Sequence, residues 1–277
     1  MLYREIEMKV DYKKVQAIHD NYQPKLIAYL LESSKEIKLP RKRPAVIVCP
    51  GGAYRFKSDR EGEPIAMRFL AAGMQAFVLQ YSVAPSRYPS ALLELAKAVA
   101  VVREHASEWD IDPNRIFVCG FSAGGHLCAS LGTLWNEPFL KDSLGTEEKM
   151  WKPNGMILCY PVITTGEYTH EESCQLLLGP EATSEARKSL SLETRVTKET
   201  IPCFIWHTAE DTAVPVENAL LLTMALRKHS VPFELHIYEI GEHGLALCDE
   251  TTMDIPEQVQ PDNANWIQLA IQWIRRF

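Results

Sequence analysis

The sequence predicts an α/β fold, a mostly parallel central sheet with helices on both faces. Three observations carry this expectation. From about residue 43 onward, short apolar runs alternate with longer amphipathic segments. The runs are almost continuously apolar, as strands covered on both faces must be. No internal repeat, low-complexity tract or linker divides the 277 residues, so 1–277 reads as a single large domain.

Taken in order, Arg43-Pro-Ala-Val-Ile-Val-Cys49 is the first clear strand, followed by a Pro-Gly-Gly turn. A helix is expected from Glu63 to Ala72, closed by Gly73, and Gln75 to Tyr81 is the next strand. From Ala91 to Ala106 the apolar residues Leu92, Leu95, Val99 and Val102 fall at helical spacing, with Ser90 as N-cap. Asp112-Pro-Asn114 turns the chain into a strand at Arg115–Cys119, and a helix follows from Ser122 to Leu134. Gly155–Tyr160 and Pro202–His207 read as strands, Val216–His229 as a helix, Phe233–Tyr238 as the last strand and Asn263–Arg276 as a closing helix. Two stretches fit this rhythm poorly, near 136–154 and 164–201. Long connections of this kind are either pocket walls and lids or surface excursions with a short helix of their own.

Composition narrows the function. Hydrophobic residues make up 46% and charged residues 23%, and the formal net charge is −7. Arg41-Lys42-Arg43 is the only basic run, and it reads as a solvated loop before a buried strand, so no nucleic-acid partner is expected. The first ten residues alternate charged and apolar types and lack the apolar core of a signal peptide. No apolar stretch is long enough to span a bilayer, so no membrane partner is expected. The seven cysteines are odd in number, form no C-x-x-C pair, and several lie in apolar runs, which suits free core thiols. Together these features point to a cytoplasmic location. There is no H-E-x-x-H, no His/Cys/Asp cluster at ligand spacing, no G-x-G-x-x-G and no Walker pattern, so neither metal nor cofactor is expected.

The chemistry gathers just after strands, where an open sheet of this kind places its ligands. Gly120-Phe-Ser122-Ala-Gly124 matches G-x-S-x-G between a strand and a helix. Only small residues at ±2 from the serine let strand and helix approach so closely, and the sharp turn holds the hydroxyl clear. Ser122 is therefore the candidate nucleophile. It needs a base, and the base needs an orienting acid. His207-Thr-Ala-Glu-Asp211-Thr-Ala-Val-Pro215 follows a strand and offers Glu210 or Asp211 as the acid. Gly241-Glu-His243-Gly244 follows the last strand, and a histidine between glycines there is the candidate base. The other seven histidines fit worse: His126 reads as a packing or hydrogen-bonding residue, and His207 as a brace for the acid loop. Oxyanion donors are expected from the amide of Ala123 and from the Pro50-Gly51-Gly52-Ala53-Tyr54 turn, chiefly Gly52 and Ala53. A Gly-Gly pair suits any tight turn, so its place relative to the serine is what counts.

These motifs, with Tyr81-Ser-Val-Ala-Pro85 and Asp112-Pro-Asn-Arg115, resemble those of α/β-hydrolase serine esterases. The nearest resemblance is to the acetylxylan-esterase-like and feruloyl-esterase-like (BD-FAE-type) sugar-ester hydrolases, and it runs from about residue 40 to the C-terminus. It implies an α/β-hydrolase fold and favours Asp211 over Glu210, because Asp211 has the family's offset from the strand and from Val214-Pro215. The sequence departs from the family pattern at Pro50, where a histidine is usual, at Ala53, where a third glycine is usual, and at Thr208, where glycine is common. The resemblance implies hydrolysis of small acyl esters, acetylated sugars or oligosaccharides, with a small-molecule substrate. An amide-type hydrolase, kynurenine-formamidase-like or aminopeptidase-like, would use the same triad. A catalytically silent binding protein on this fold would lack a triad member, and all three candidates are present. The oligomeric state is left open, a homo-oligomer included.

Overall fold

The computed structural model describes every residue of the chain except 35 and 37–41, so Arg41 of the basic run lies outside the described residues. Eight strands form one sheet: β1 (Leu2–Glu7), β2 (Lys25–Leu30), β3 (Arg43–Cys49), β4 (Gln75–Gln80), β5 (Ile111–Phe121), β6 (Gly155–Cys159), β7 (Cys203–Thr208) and β8 (Phe233–Tyr238). Their spatial order is β1-β2-β4-β3-β5-β6-β7-β8. β1 pairs antiparallel with β2 and β2 with β4, while every pairing from β4 to β8 is parallel. The expected mostly parallel sheet is what the chain forms.

The main helices are α1 (Glu63–Ala71), α2 (Ser90–Glu104), α3 (Ala123–Leu134), α7 (Glu217–Lys228) and α8 (Trp266–Ile274). Side chains alternate across each strand, and the sheet consequently has two apolar faces. Ala45, Ile47, Phe77, Leu79, Val118, Leu158 and Ile205 pack with residues of α2, α3 and α7. Val46, Val48, Ala76, Val78, Phe117, Ile157, Phe204 and Trp206 pack with α1 and α8. All seven cysteines are buried free thiols. No described helix is long and apolar enough to cross a membrane.

Three local expectations need correction. The antiparallel pair β1–β2 lies in a region the sequence left unassigned. Its second strand buries Leu26, Ala28 and Leu30, while β1 is an exposed edge carrying Arg4, Glu5 and Glu7. Ser90 is the first residue of α2 rather than its cap, which is Pro89; the Ser90 hydroxyl donates instead to the Ile18 carbonyl at 3.0 Å. α8 begins at Trp266 rather than Asn263, whose side-chain amide donates to the Ile240 carbonyl at 2.8 Å and so serves the loop before His243.

The two irregular stretches differ. The first holds α4 (Pro138–Leu144) and a single 3-10 turn, and it anchors itself by the fully buried Leu140 and Trp151. The second holds α5 (Glu171–Leu178) and α6 (Ser184–Ser189) and returns to the carboxyl edge.

Candidate active site

Each predicted residue sits just beyond the carboxyl end of a strand. Ser122 joins β5 to α3 with φ 51° and ψ −116°, outside the regions an L-residue ordinarily occupies. Packing holds it there. A Cβ on Gly120 would lie 2.1 Å from the Gly124 carbonyl oxygen, and one on Gly124 would lie 2.1 Å from the Cys49 carbonyl oxygen. Strand β3, strand β5 and α3 thus meet backbone to backbone at the two motif glycines. The Ser122 N–H donates to Cys159 O at 3.0 Å, and Val162 N–H donates to Ser122 O at 3.1 Å, so its main chain is fixed on both sides.

Ser122 Oγ lies 2.8 Å from His243 Nε2, and His243 Nδ1 lies 2.6 Å from Asp211 Oδ2. Since Asp211 can only accept, Nδ1 carries the proton and Nε2 accepts from the serine hydroxyl. Such a chain can move a proton from hydroxyl to imidazole while the carboxylate fixes the tautomer. Asp211 is itself held by the N–H groups of Ala213 (3.1 Å) and Val214 (2.9 Å), both on Oδ1. Burial pushes the Asp211 carboxyl up, but the hydrogen bonds from His207 and His243 outweigh it and hold the group well below the usual carboxylate range. Glu210, the rival, is exposed, and its carboxylate accepts the Gly241 N–H at 3.0 Å.

His207 braces the acid loop, as its position suggested. Its Nε2 lies 3.2 Å from Asp211 Oδ2 and 2.8 Å from Val214 O, two acceptors, so it must carry the proton there. Nδ1 is buried and has no partner among the described residues. His126 is likewise a hydrogen-bonding residue: its Nε2 donates to Leu190 O at 3.1 Å, and its Nδ1 accepts the Tyr54 hydroxyl at 3.0 Å. Burial pushes its pKa down to about 4, against the upward pull of the Leu190 carbonyl.

The Gly51–Tyr54 turn is unusual in its backbone. Gly52, Ala53 and Tyr54 have φ of 122°, 55° and 60°, three successive residues in the positive-φ region. The Gly52 carbonyl accepts from Arg55 N at 2.8 Å and Phe56 N at 3.2 Å, turning the loop so that its next peptides face away from it. Among the described residues, the amides of Gly52 and Ala53 donate to no backbone or side-chain acceptor. Ala123, at the first position of α3, is one of the helix-start amides that have no carbonyl partner within the helix.

A small, almost wholly apolar cavity adjoins this turn, lined by Tyr54, His126, Val162, Leu177, Leu178 and Leu190, with Thr164, Thr165, Thr169 and Ser173 beside them. The acidic side chains of the second irregular stretch do not line this cavity. Glu167, Glu181 and Glu185 are exposed, Glu171 is gripped by Arg187 at 2.5 and 2.9 Å, and Glu172 is occupied by Arg55 at 2.5 Å. The cavity surface is apolar, because α5 turns its Leu177 side inward.

Two residues escaped the sequence. Glu61 is buried between Gly51 and Tyr160, and Tyr160 stands edge-on to the His243 ring with centroids 5.1 Å apart. Tyr160 had a usable signal, an aromatic with a polar tip directly after a strand end. Glu61 had none, since nothing separates it from the neighbouring Asp59 and Glu63. No group of three or more His, Cys, Asp or Glu among the described residues is arranged to hold a metal ion.

Comparison with known proteins fits this geometry. The chain is 40% identical to Endo-1,4-beta-xylanase B of Butyrivibrio fibrisolvens over 82% of its own length and 35% of that protein's. It is 29% identical to an acetylxylan esterase of Xylanibacter ruminicola over 81% of its length and 45% of that protein's. The chain thus spans only about a third to a half of these curated relatives. Among solved structures, an acetyl ester-xyloside bifunctional hydrolase from Caldicellulosiruptor lactoaceticus superposes with a TM-score of 0.79 at 38% identity, covering 93% of this chain and 89% of that one. A carboxylesterase from Lactobacillus plantarum gives 0.84 at 30% identity, covering 100% and 98%. A model of the BD-FAE family matches residues 34–226. With that match and an α/β-hydrolase sheet, the chain belongs to the BD-FAE family.

Proposed function

We propose that this protein is a carboxylic-ester hydrolase that removes short acyl groups, acetyl above all, from sugars or oligosaccharides. The observation that carries the reading is the continuous hydrogen-bonded chain from Ser122 Oγ through His243 to Asp211 at a strained strand–helix turn. Ser122 Oγ attacks the ester carbonyl while His243 Nε2 takes its proton. Asp211 keeps the imidazole oriented and stabilises its charged form. The amides of Gly52, Ala53 and Ala123 receive the oxyanion, an interaction of the kind often worth several kcal/mol. His243 returns the proton to the departing alcohol. Water, deprotonated by the same imidazole, then attacks the acyl-enzyme and frees Ser122.

Two features support a short acyl group. Beside Tyr54 of the oxyanion turn, Leu177, Leu178 and Leu190 close the wall down to a small cavity with no room for an alkyl chain, which favours a short acyl group. The names of the similar proteins, an acetylxylan esterase and an acetyl ester-xyloside hydrolase, point the same way. The test is a panel of p-nitrophenyl esters from acetyl to decanoyl, with acetylated xylo-oligosaccharides, N-formylkynurenine and aminoacyl anilides. We expect kcat/KM to be highest for acetyl or propionyl and to fall by about tenfold or more by octanoyl, the scale of a few poorly accommodated methylenes. A kcat/KM that climbs beyond butyryl would replace the sugar-ester reading with a lipase-like one. Preference for the amides would move the enzyme to the amide-hydrolase class.

A further inference from the structure

A second buried carboxylate lies beside the triad and takes no part in the proton path. Glu61, on the 3-10 turn Asp59–Glu61, is only 4% exposed. One of its oxygens accepts the Gly51 N–H at 2.8 Å, and the other accepts the Tyr160 hydroxyl at 2.7 Å. The Tyr160 oxygen in turn accepts the N–H of Ala246, three residues past His243, at 2.9 Å. Its neighbour Arg60 reaches the same histidine loop by another route, donating to Gly244 O at 2.9 Å and Thr252 O at 2.5 Å. One short turn therefore grips the oxyanion turn with Glu61 and the histidine loop with Arg60 and, through Tyr160, with Glu61 again.

The chemistry of Glu61 is specific. Two donors face its two oxygens, and a carboxylate accepts from both; an amide would have to turn its NH2 group toward one of them. Burial outweighs the hydrogen bonds from Tyr160 and Gly51 and raises this carboxyl above the usual carboxylate range, so those two donors are what oppose its protonation. The position is equally specific. A Cβ on Gly51 would sit 2.8 Å from Glu61 Oε2, 2.8 Å from Phe121 O and 3.0 Å from Ser122 Cβ. The carboxylate thus presses on the same glycine that abuts the nucleophile. The peptides that follow, with a sparsely populated positive φ at Ala53 and Tyr54, need an outside constraint to stay where they are.

We propose that Glu61 is a positioning residue for hydrolysis: by holding the Gly51 N–H, its buried carboxylate aims the Gly52 and Ala53 amides at the oxyanion and, through Tyr160, fixes the loop of His243. This rests on the serine-hydrolase reading above. It does not contact substrate. It acts through Gly51 and Tyr160, and its effect belongs to the transition state rather than to ground-state binding.

The experiment compares wild type, Glu61→Gln and Tyr160→Phe on p-nitrophenyl acetate, with fluorophosphonate labelling to count competent serines and a trifluoromethyl ketone as transition-state mimic. A small displacement of catalytic groups costs about 10²-fold. For Glu61→Gln we expect kcat to drop roughly 30- to 100-fold with KM changed less than about threefold, and ketone affinity to weaken in parallel with kcat/KM. Labelling should still reach full occupancy, more slowly. Tyr160→Phe should fall about tenfold in kcat, and the double variant no further than Glu61→Gln, since both cut one path. Wild-type kcat in a folded Glu61→Gln protein overturns the proposal. So does a loss matched by a loss of labelled serines, which is misfolding rather than misplacement. If Glu61→Gln does not fold, Tyr160→Phe decides alone, and wild-type kcat there overturns it equally. Hydrolysis surviving in Ser122→Ala removes the serine mechanism itself, an outcome separate from any of these.

Discussion

Asp211 and Glu210 are adjacent in sequence and opposite in environment. The first is buried, takes two backbone amides on one oxygen and two imidazoles on the other, while the second lies in solvent with one backbone contact. Replacing Asp211 with Asn swaps an acceptor for a donor at His243 Nδ1 and forces the wrong tautomer. We expect kcat to fall on the order of 10³–10⁴-fold. Glu210→Gln keeps an acceptor for Gly241 and should cost less than about threefold in the same steady-state assay; the reverse ranking would move the acid to Glu210. The pair also marks what residue types can and cannot announce. Ser122, Asp211 and His243 were legible because each follows a strand and carries a chemistry that its glycine or loop neighbours leave available. Glu61 was not, since a carboxylate between Asp59 and Glu63 looks solvated until the tertiary fold brings Gly51 and Tyr160 against it.

The core strands and helices announced themselves by continuous apolar runs and helical spacing, and their boundaries fall within a few residues of expectation. β1 and β2 did not, because an edge hairpin with one polar strand has the mixed composition of a loop and gains its regularity only by pairing with β4. The second insert was also opaque: its charges face outward, and the face that matters is set by the docking of α5 and the Leu190 segment. His126 is the tie in that docking, joining α3 to the oxyanion turn through Tyr54 and to the insert through Leu190 O. In the folded chain it takes a proton only near a pKa of about 4, against the roughly 6.5 of a free imidazole in the unfolded chain. The unfolded state therefore binds more protons between these values. Stability from this group is complete above pH 6.5 and is lost as pH falls toward 4. Between pH 7.5 and 4.5 the loss amounts to about 2–3 kcal/mol. Denaturant unfolding of wild type and His126→Gln across this range should show the wild-type curve falling more steeply by that amount; parallel curves would mean that His126 is not buried neutral.

The parallel order β4-β3-β5-β6-β7-β8 sends the turns after β3, β5, β7 and β8 to one edge of the sheet. Residues as far apart as Gly52, Ser122, Asp211 and His243 meet there because of that topology, and no local interaction could have joined them. The sheet's two covered faces supply rigidity, and the turns supply chemistry. The acyl and alcohol preferences lie beyond this frame, in the shape of the walls. What the frame demands is a single nucleophile at the β5–α3 turn. Treating the protein with a fluorophosphonate, mapping the modified peptide by mass spectrometry, and assaying Ser122→Ala on p-nitrophenyl acetate tests that demand. The account predicts one adduct, on Ser122, and no enzymatic ester hydrolysis or labelling in a variant that keeps its fold by circular dichroism. An adduct on another serine, or a folded Ser122→Ala protein that still turns over the ester, would contradict it.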